Sequence, residues 1–404
     1  MFRVSREDKG PSVRRVARRA LLLFAAALAL GACAGNSFQT PLDETPARQG
    51  TEVPPGTLIG TGQVRVGLIL PLSAAGNAGV AAQSMKNAAE MAIAEFKNPD
   101  IQLLVKDDGG TPQGAQLAAQ QALDEGVQII IGPLFAQAVS TAGQVARPRG
   151  VPIIAFSTDA NVAARGVYLL SFLPESDVNR IVDYAVSKGK RSFAALVPDN
   201  AYGAVVEAAF QQAVARRGGR VVALERYPLD PARMAEPARK IAQAAARADA
   251  IFLPDGADAV PQVVQALTAA GVNPRRVQLL GTGLWDDPRL FSVPAVSGGW
   301  FSAPDATGFR SFAQRYRARY GGEPVRTATL AYDAVALVAA LSKTQGTAGF
   351  SEPVLTNASG FAGIDGVFRL RGDGTNERGL AVMQVAPSSA QVISPAPRSF
   401  QPGT

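Results

Sequence analysis

A chain of 404 residues with 40 Lys and Arg against 33 Asp and Glu, formally +7, is long enough to bury more than one hydrophobic core. It has no histidine and a single cysteine, which excludes Ser-His-Asp and Cys-His catalysis, histidine metal ligation, a histidine pH switch and any internal disulfide. Seven of the basic and two of the acidic residues precede Cys33, leaving 33 against 31 and +2 beyond it; that near-neutral remainder, with no basic stripe, offers no support for a nucleic-acid-binding surface.

In chain order, Arg14, Arg15, Arg18 and Arg19 precede an unbroken apolar run from Ala20 to Leu30. As a helix the run would be about 16 Å long, half a bilayer's hydrocarbon thickness, so residues 1–32 read as a removable signal peptide. The Arg14-Arg15 pair also invites a twin-arginine export reading, but the surrounding motif favours general secretion. Leu30-Gly31-Ala32-Cys33 resembles a lipobox, which implies lipidation at Cys33 and a lipid-anchored, periplasmic protein. Residues 33–62, rich in Pro, Thr, Gly and Gln, read as a flexible tether.

From Val64 on, apolar runs alternate with Ala-rich amphipathic stretches. Strands are predicted at Val64 to Leu70, Ile101 to Lys106, Val127 to Ile131 and Val151 to Ala155. Helices are predicted between them: Met85, Ala88, Ala89, Ala92 and Phe96 form one stripe, and Gln113 to Asp124 and Ala136 to Ala146 form two more. A second series follows Ser176, with strands at Ser192 to Val197, Arg220 to Tyr227, Ala250 to Pro254 and Gln278 to Leu280. Its helices start near Tyr202, Asp230 and Asp258. Such alternation predicts two α/β units, each a mainly parallel sheet flanked by helices. Gly109-Gly110 and Gly218-Gly219 lack the spacing and lysine of a phosphate loop, and Arg371-Gly372-Asp373 has hairpin-turn composition. Residues 388–404, rich in Pro and Ser, read as a disordered tail.

The order of motifs is similar to that of the type I periplasmic binding proteins, the leucine/isoleucine/valine-binding family. The resemblance rests on Val66 to Ser73, Met85 to Ala92, Asp107-Asp108, Ile131 to Leu134, Val151 to Ile154, Asp199 to Gly203 and Ala328 to Ala334, and runs from Val64 to about Val385. It implies a two-lobed α/β fold in which the chain crosses three times between lobes. The first lobe would take 63–173 and about 303–349, and the second 174–302 and about 350–387.

In open α/β sheets ligands sit beyond the carboxyl ends of parallel strands. The loops there offer Ser73, Ala136, Gln137, Ser157 and Thr158 in the first lobe, and Asp199, Tyr202, Asp255 and Trp285 in the second. Alternatives stand beside these: Ser73 and Ser157 as helix caps, and Tyr202 and Trp285 as packing residues. The family's serine-rich carboxylate turn reads Phe135-Ala136-Gln137-Ala138 here. Where the family has an acidic residue after a second-lobe strand, this chain has Thr282-Gly283-Leu284. An α-amino acid therefore fits only if Asp199, Asp255 or Asp286 meets its ammonium.

The expected function is non-enzymatic and needs no metal or cofactor: the binding component of an ABC-type transport system, closing on an amino-acid-like or related small solute and docking on an ABC permease. The chain also resembles lipoproteins of the same fold that activate a penicillin-binding protein in peptidoglycan synthesis. Ala34 and Gly35, with no aspartate after Cys33, favour the outer membrane and that alternative. The lack of a helical-repeat segment before Gly62 counts against it.

Overall fold

The computed structural model describes residues 57–400 apart from Leu229. The signal peptide, Cys33 and the tether up to residue 56 lie outside the described residues. Residues 57–62 belong to the fold instead: β1 (Leu58–Ile59) pairs antiparallel with the edge of the first sheet, Leu58 opposite Leu104.

That sheet contains β2 (Val64–Leu70), β3 (Ile101–Asp107), β4 (Ile129–Ile131), β5 (Ile153–Ala155) and β6 (Val167–Leu169) in the order β1-β3-β2-β4-β5-β6, all parallel except β1. Its strands are short apolar runs buried on both faces, as helix-covered parallel strands require. The interleaved helices are α1 (Asn77–Glu95), α2 (Pro112–Asp124) and α3 (Ala136–Ala146). Pro112 opens α2, and Thr111 caps it by accepting the Gly114 N–H at 3.0 Å. One face of the sheet packs on Met85, Ala89 and Ala92 of α1, and the other on Ala118, Ala122 and Val139 of α2 and α3.

The chain then crosses to a second sheet through α4 (Pro174–Ser187), followed by β7 (Ser192–Pro198), α5 (Ala201–Arg216), β8 (Arg220–Tyr227), α6 (Pro231–Ala245), β9 (Ala250–Phe252), α7 (Val260–Ala269), β10 (Gln278–Gly281), α8 (Pro288–Phe291) and β11 (Trp300–Ala303). Helices α4 and α5 cover one face with Val178, Ile181, Val206 and Phe210; α6 and α7 cover the other with Ile241, Val263 and Leu267.

A second crossing leads back into α9 (Ala306–Tyr320) and α10 (Ala328–Gln345), and α10 lays Leu330, Ala334 and Val338 on the first sheet beside α1. After α11 (Glu352–Leu355), the strands β12 (Phe361–Gly363), β13 (Gly366–Leu370) and β14 (Asn376–Arg378) form a small antiparallel sheet. The expectation that residues from about 350 join the second lobe needs correction. Phe350, Leu355, Phe368 and Leu370 share one apolar core with β2, because the small sheet docks beside β6, where the Leu169 N–H donates to the Gly374 carbonyl at 2.7 Å. The third crossing therefore falls after Arg378. β15 (Ala381–Ala386) then joins β11 antiparallel, and β16 (Ser389–Ser394) joins β15, giving the order β16-β15-β11-β10-β9-β7-β8. The expected tail from 388 is thus strand as far as Ser394, because the β15 edge offers unpaired backbone groups that a polar segment satisfies as well as an apolar one. Among the described residues, no helix is long and apolar enough to cross a membrane, and no acidic, histidine or cysteine cluster is placed to hold a metal.

Candidate functional site

The three crossings run side by side, and a cavity of about 430 Å³ opens against them, walled by both lobes. Thr158, after β5, and Tyr202, in the first turn of α5, line it, so these two expected residues do come together. Asn200 caps α5 by accepting the Gly203 N–H at 2.8 Å, which sets Tyr202 at the strand end. The Tyr202 hydroxyl shares a 2.9 Å hydrogen bond with the buried Thr282 hydroxyl. Burial raises the Tyr202 pKa, so it stays a neutral donor and acceptor.

Two carboxylates face this cavity from the second lobe, Asp177 and Asp286. Asp177 lies in the first turn of α4 and accepts the Ser302 hydroxyl at 3.2 Å. Burial pushes its pKa up to about 7, against hydrogen bonds from Gly283 and Ser302 that favour the charge. Asp286, one residue past Trp285, makes no ion pair among the described residues. Asp286 is exposed to solvent in this arrangement, and the groups crowding it raise its pKa only against the opposing charge of Arg326.

Facing them, Phe309, Arg326, Phe172, Arg378 and Phe368 stack in alternation at the crossings. The Arg326 guanidinium is 4.6 Å from the Phe309 ring centre and 4.8 Å from Phe172; Arg378 is 4.7 Å from Phe172 and 5.6 Å from Phe368. Arg326 gives both terminal nitrogens to the fully buried Asp365, at 2.9 and 2.6 Å. Arg378 is 5 % exposed, and its Nε donates to the Ser171 carbonyl at 2.9 Å. Neither Nη1 nor Nη2 has a hydrogen-bond partner. A second, polar cavity of about 910 Å³ is also lined by Arg378, together with Glu175, Arg180 and Arg371 among others.

The remaining expected residues do not line the smaller cavity. Ser73 is exposed, and its backbone N–H donates to Asp107 at 3.2 Å. Ala136 and Gln137 open α3 and do not line the cavity. Ser157 is buried and accepts the Asp159 N–H at 3.1 Å, so it acts as a local turn residue. Asp199 is exposed on its loop. Asp255 accepts the Tyr227 hydroxyl and the Gly256 N–H, the latter at 2.7 Å. Trp285 requires outright correction as a ligand contact. It is fully buried, donates to the Leu253 carbonyl at 3.0 Å, and fills the space left by Gly281 and Gly299, where an added Cβ would lie 2.2 and 2.6 Å from its ring. The residues that sequence reasoning missed are Asp177, Arg326 and Arg378. Their one sequence signal is weak: each is a charge beside the end of an apolar or glycine-marked element.

Two mainly parallel sheets flanked by helices, joined by three crossings with a cavity against them, define a two-lobed type I periplasmic binding protein fold. Residues 63–391 match the periplasmic binding protein family model, and the chain belongs to that family, a family of binding proteins rather than enzymes. Similar solved structures include a putative branched-chain amino acid ABC transporter protein from Rhodospirillum rubrum, at 20% identity and TM-score 0.72, covering 82% of this chain and 99% of that one. An ABC transporter substrate-binding protein from Desulfitobacterium hafniense in complex with Leu is 17% identical at TM-score 0.60, covering 82% and 99%. A solute-binding protein from R. palustris in complex with benzoate is 19% identical at TM-score 0.56, covering 84% and 97%. Comparison with curated proteins finds no match.

Proposed function

We propose that this protein is the extracytoplasmic binding component of an ABC-type uptake system, tethered to the membrane through acylated Cys33, and that it closes on a small solute bearing a protonated amino group. The observation that carries the reading is Asp286. It is a solvent-exposed carboxylate with no ion pair among the described residues, on the wall of a cavity whose other walls include Thr158 of the opposite lobe, Tyr202 and Arg326. An ammonium placed there would meet the charge that a closed, desolvated site requires. It takes the part expected of an acidic residue after a second-lobe strand. Closure follows if the ligand binds the closed arrangement better than the open one, since it can shift the equilibrium only by that difference.

The test is thermal unfolding of the Cys33→Ser mature chain against amino acids and aromatic carboxylates. A ligand at 100 times its dissociation constant stabilises by about 2.7 kcal/mol, and Asp286→Asn removes the shift for amine-bearing ligands alone. If no compound in either class shifts the transition, the uptake reading is wrong.

A second reading, activation of a penicillin-binding protein by contact, is favoured by one observation. Phe135 and Leu284 are large apolar side chains, 38 % and 46 % exposed, in the segments just past the carboxyl ends of β4 and β10. Recovery of a murein synthase with the wild-type chain, lost with Phe135→Ser, supports that reading; recovery with neither chain removes it.

A further inference from the structure

The aromatic and guanidinium stack at the crossings leaves one group incomplete. The Phe172 and Phe368 ring centres lie 4.7 and 5.6 Å from the Arg378 guanidinium, but the N–H donors of a guanidinium point outward in its own plane and are not satisfied by ring faces. The edge carrying Nη1 and Nη2 therefore still needs acceptors, and none is present although the side chain is 5 % exposed. Nearby carboxylates do not supply them. Asp365 is occupied by both terminal nitrogens of Arg326 and by the Thr329 hydroxyl at 2.6 Å. Asp333 spends one oxygen on the Ile364 N–H at 2.8 Å, and its other oxygen is as unpartnered as Arg378 itself. Burial also pushes the Asp333 pKa up to about 7, which weakens it as a counter-charge. A buried cation whose Nη1 and Nη2 have no acceptor and almost no accessible surface, on a side chain that lines both the cavity Asp286 faces and the larger polar one, is the complement of a carboxylate that reaches that edge when its covering groups move.

We propose that Arg378 is the anion anchor of the hinge cavity, so that the ligand is a small carboxylate with an apolar body whose acid group lies against the crossings. The reading rests on the uptake function above and adds which end of the ligand goes where. The acid group points toward Arg378, the apolar body lies along Phe172, Leu284 and Leu380, and any amino group reaches toward Asp286. Because Arg378 Nε already holds Ser171 of the first crossing while Arg378 itself ends β14 before the third, an anion on its free edge joins two of the three crossings. Charge recognition is thereby coupled to the segments that must bend when the lobes close.

The experiment uses two acid and amide pairs, L-leucine with leucinamide and benzoate with benzamide, titrated calorimetrically into the Cys33→Ser mature chain. In each pair that binds, the acid binds at least tenfold more tightly than the amide, and Arg378→Met erases that preference by weakening the acid far more than the amide. Arg378→Lys, which keeps the charge but not the bidentate edge, recovers only part of it. Should Arg378→Met fail to fold, the wild-type acid and amide comparison and Arg378→Lys still decide. An acid and its amide bound equally by the wild type overturns the anchor and leaves the uptake reading standing. No binding by either pair overturns both. Glu175→Gln, which alters only the larger cavity, leaves every affinity unchanged; a loss of acid binding there overturns the placement in the hinge cavity.

Discussion

Trp285 shows how a single side chain in a loop can be read two ways. Its position after Gly283-Leu284 and before two aspartates, past a second-lobe strand, gives it the sequence profile of a ligand platform, yet its indole has no exposed surface. The deciding residues are Gly281 and Gly299, whose missing side chains leave room that only a large ring fills. Trp285→Ala is therefore expected to lower stability by about 3–5 kcal/mol, measured by urea unfolding, with affinities at the hinge cavity unchanged once the protein is folded. A selective loss of affinity without loss of stability would return Trp285 to the site. Thr158 and Tyr202 were legible because strand ends in parallel sheets converge by topology alone. Arg378 was not, because its significance lies in what it lacks, and an unpaired donor is visible only when every neighbour has been placed.

Elements were legible in proportion to how apolar they are. The core strands of both sheets are runs such as Val64 to Leu70 that cannot sit anywhere but between helix layers. β14 breaks that rule: Asn376 and Arg378 are the buried positions and Glu377 is the partly exposed one, so its period of two is carried by polar side chains. Asn376 explains why such a strand is tolerated, since its amide donates to the carbonyls of Leu169 and Ser171 at 2.8 Å each. The turn before it fixes the same docking. Gly374 has φ +88°, and a Cβ there would lie 2.4 Å from the Val167 carbonyl oxygen. Gly374→Ala combines backbone strain with a clash against backbone and should cost about 2–4 kcal/mol. Hydrogen exchange provides the check, with lost protection of the Leu169 amide and of β13 and β14 but not of β7. Uniform protection across both sheets would mean that the hairpin does not depend on this contact. β16 is hidden for a different reason: none of its residues is buried, so its pairing with β15 leaves no alternating apolar face in the sequence.

Across the whole molecule, buried acids tie stability to pH in a direction opposite to ordinary acid denaturation. Asp108 and Asp333 are 1 % and 4 % exposed, each with one oxygen lacking a partner, and burial raises their pKa values to about 6 and about 7. In the unfolded chain both lose their protons near pH 4. Between pH 4 and these raised values the folded state therefore holds protons that the unfolded state has released, and stability falls as pH rises through that window. Each such proton changes stability by up to about 1.4 kcal/mol per pH unit, and the fall levels off above about pH 7. Carboxylates with lowered pKa values, such as Asp249 and Asp305, titrate below the window and leave its slope alone. Urea midpoints should accordingly be higher at pH 5 than at pH 8; Asp333→Asn should remove part of the slope up to about pH 7, which it shares with Asp177, raised by burial to about 7 as well, and Asp108→Asn should act mainly below 6. A midpoint that climbs from pH 5 to pH 8 would show that both carboxyl groups are ionised and paired in solution. The location of Asp333 gives the effect its meaning for the molecule. It holds the Ile364 N–H at the turn between β12 and β13, in the electrostatic reach of Arg326 and Arg378, so its proton is stored where the small sheet, the first lobe and the crossings meet.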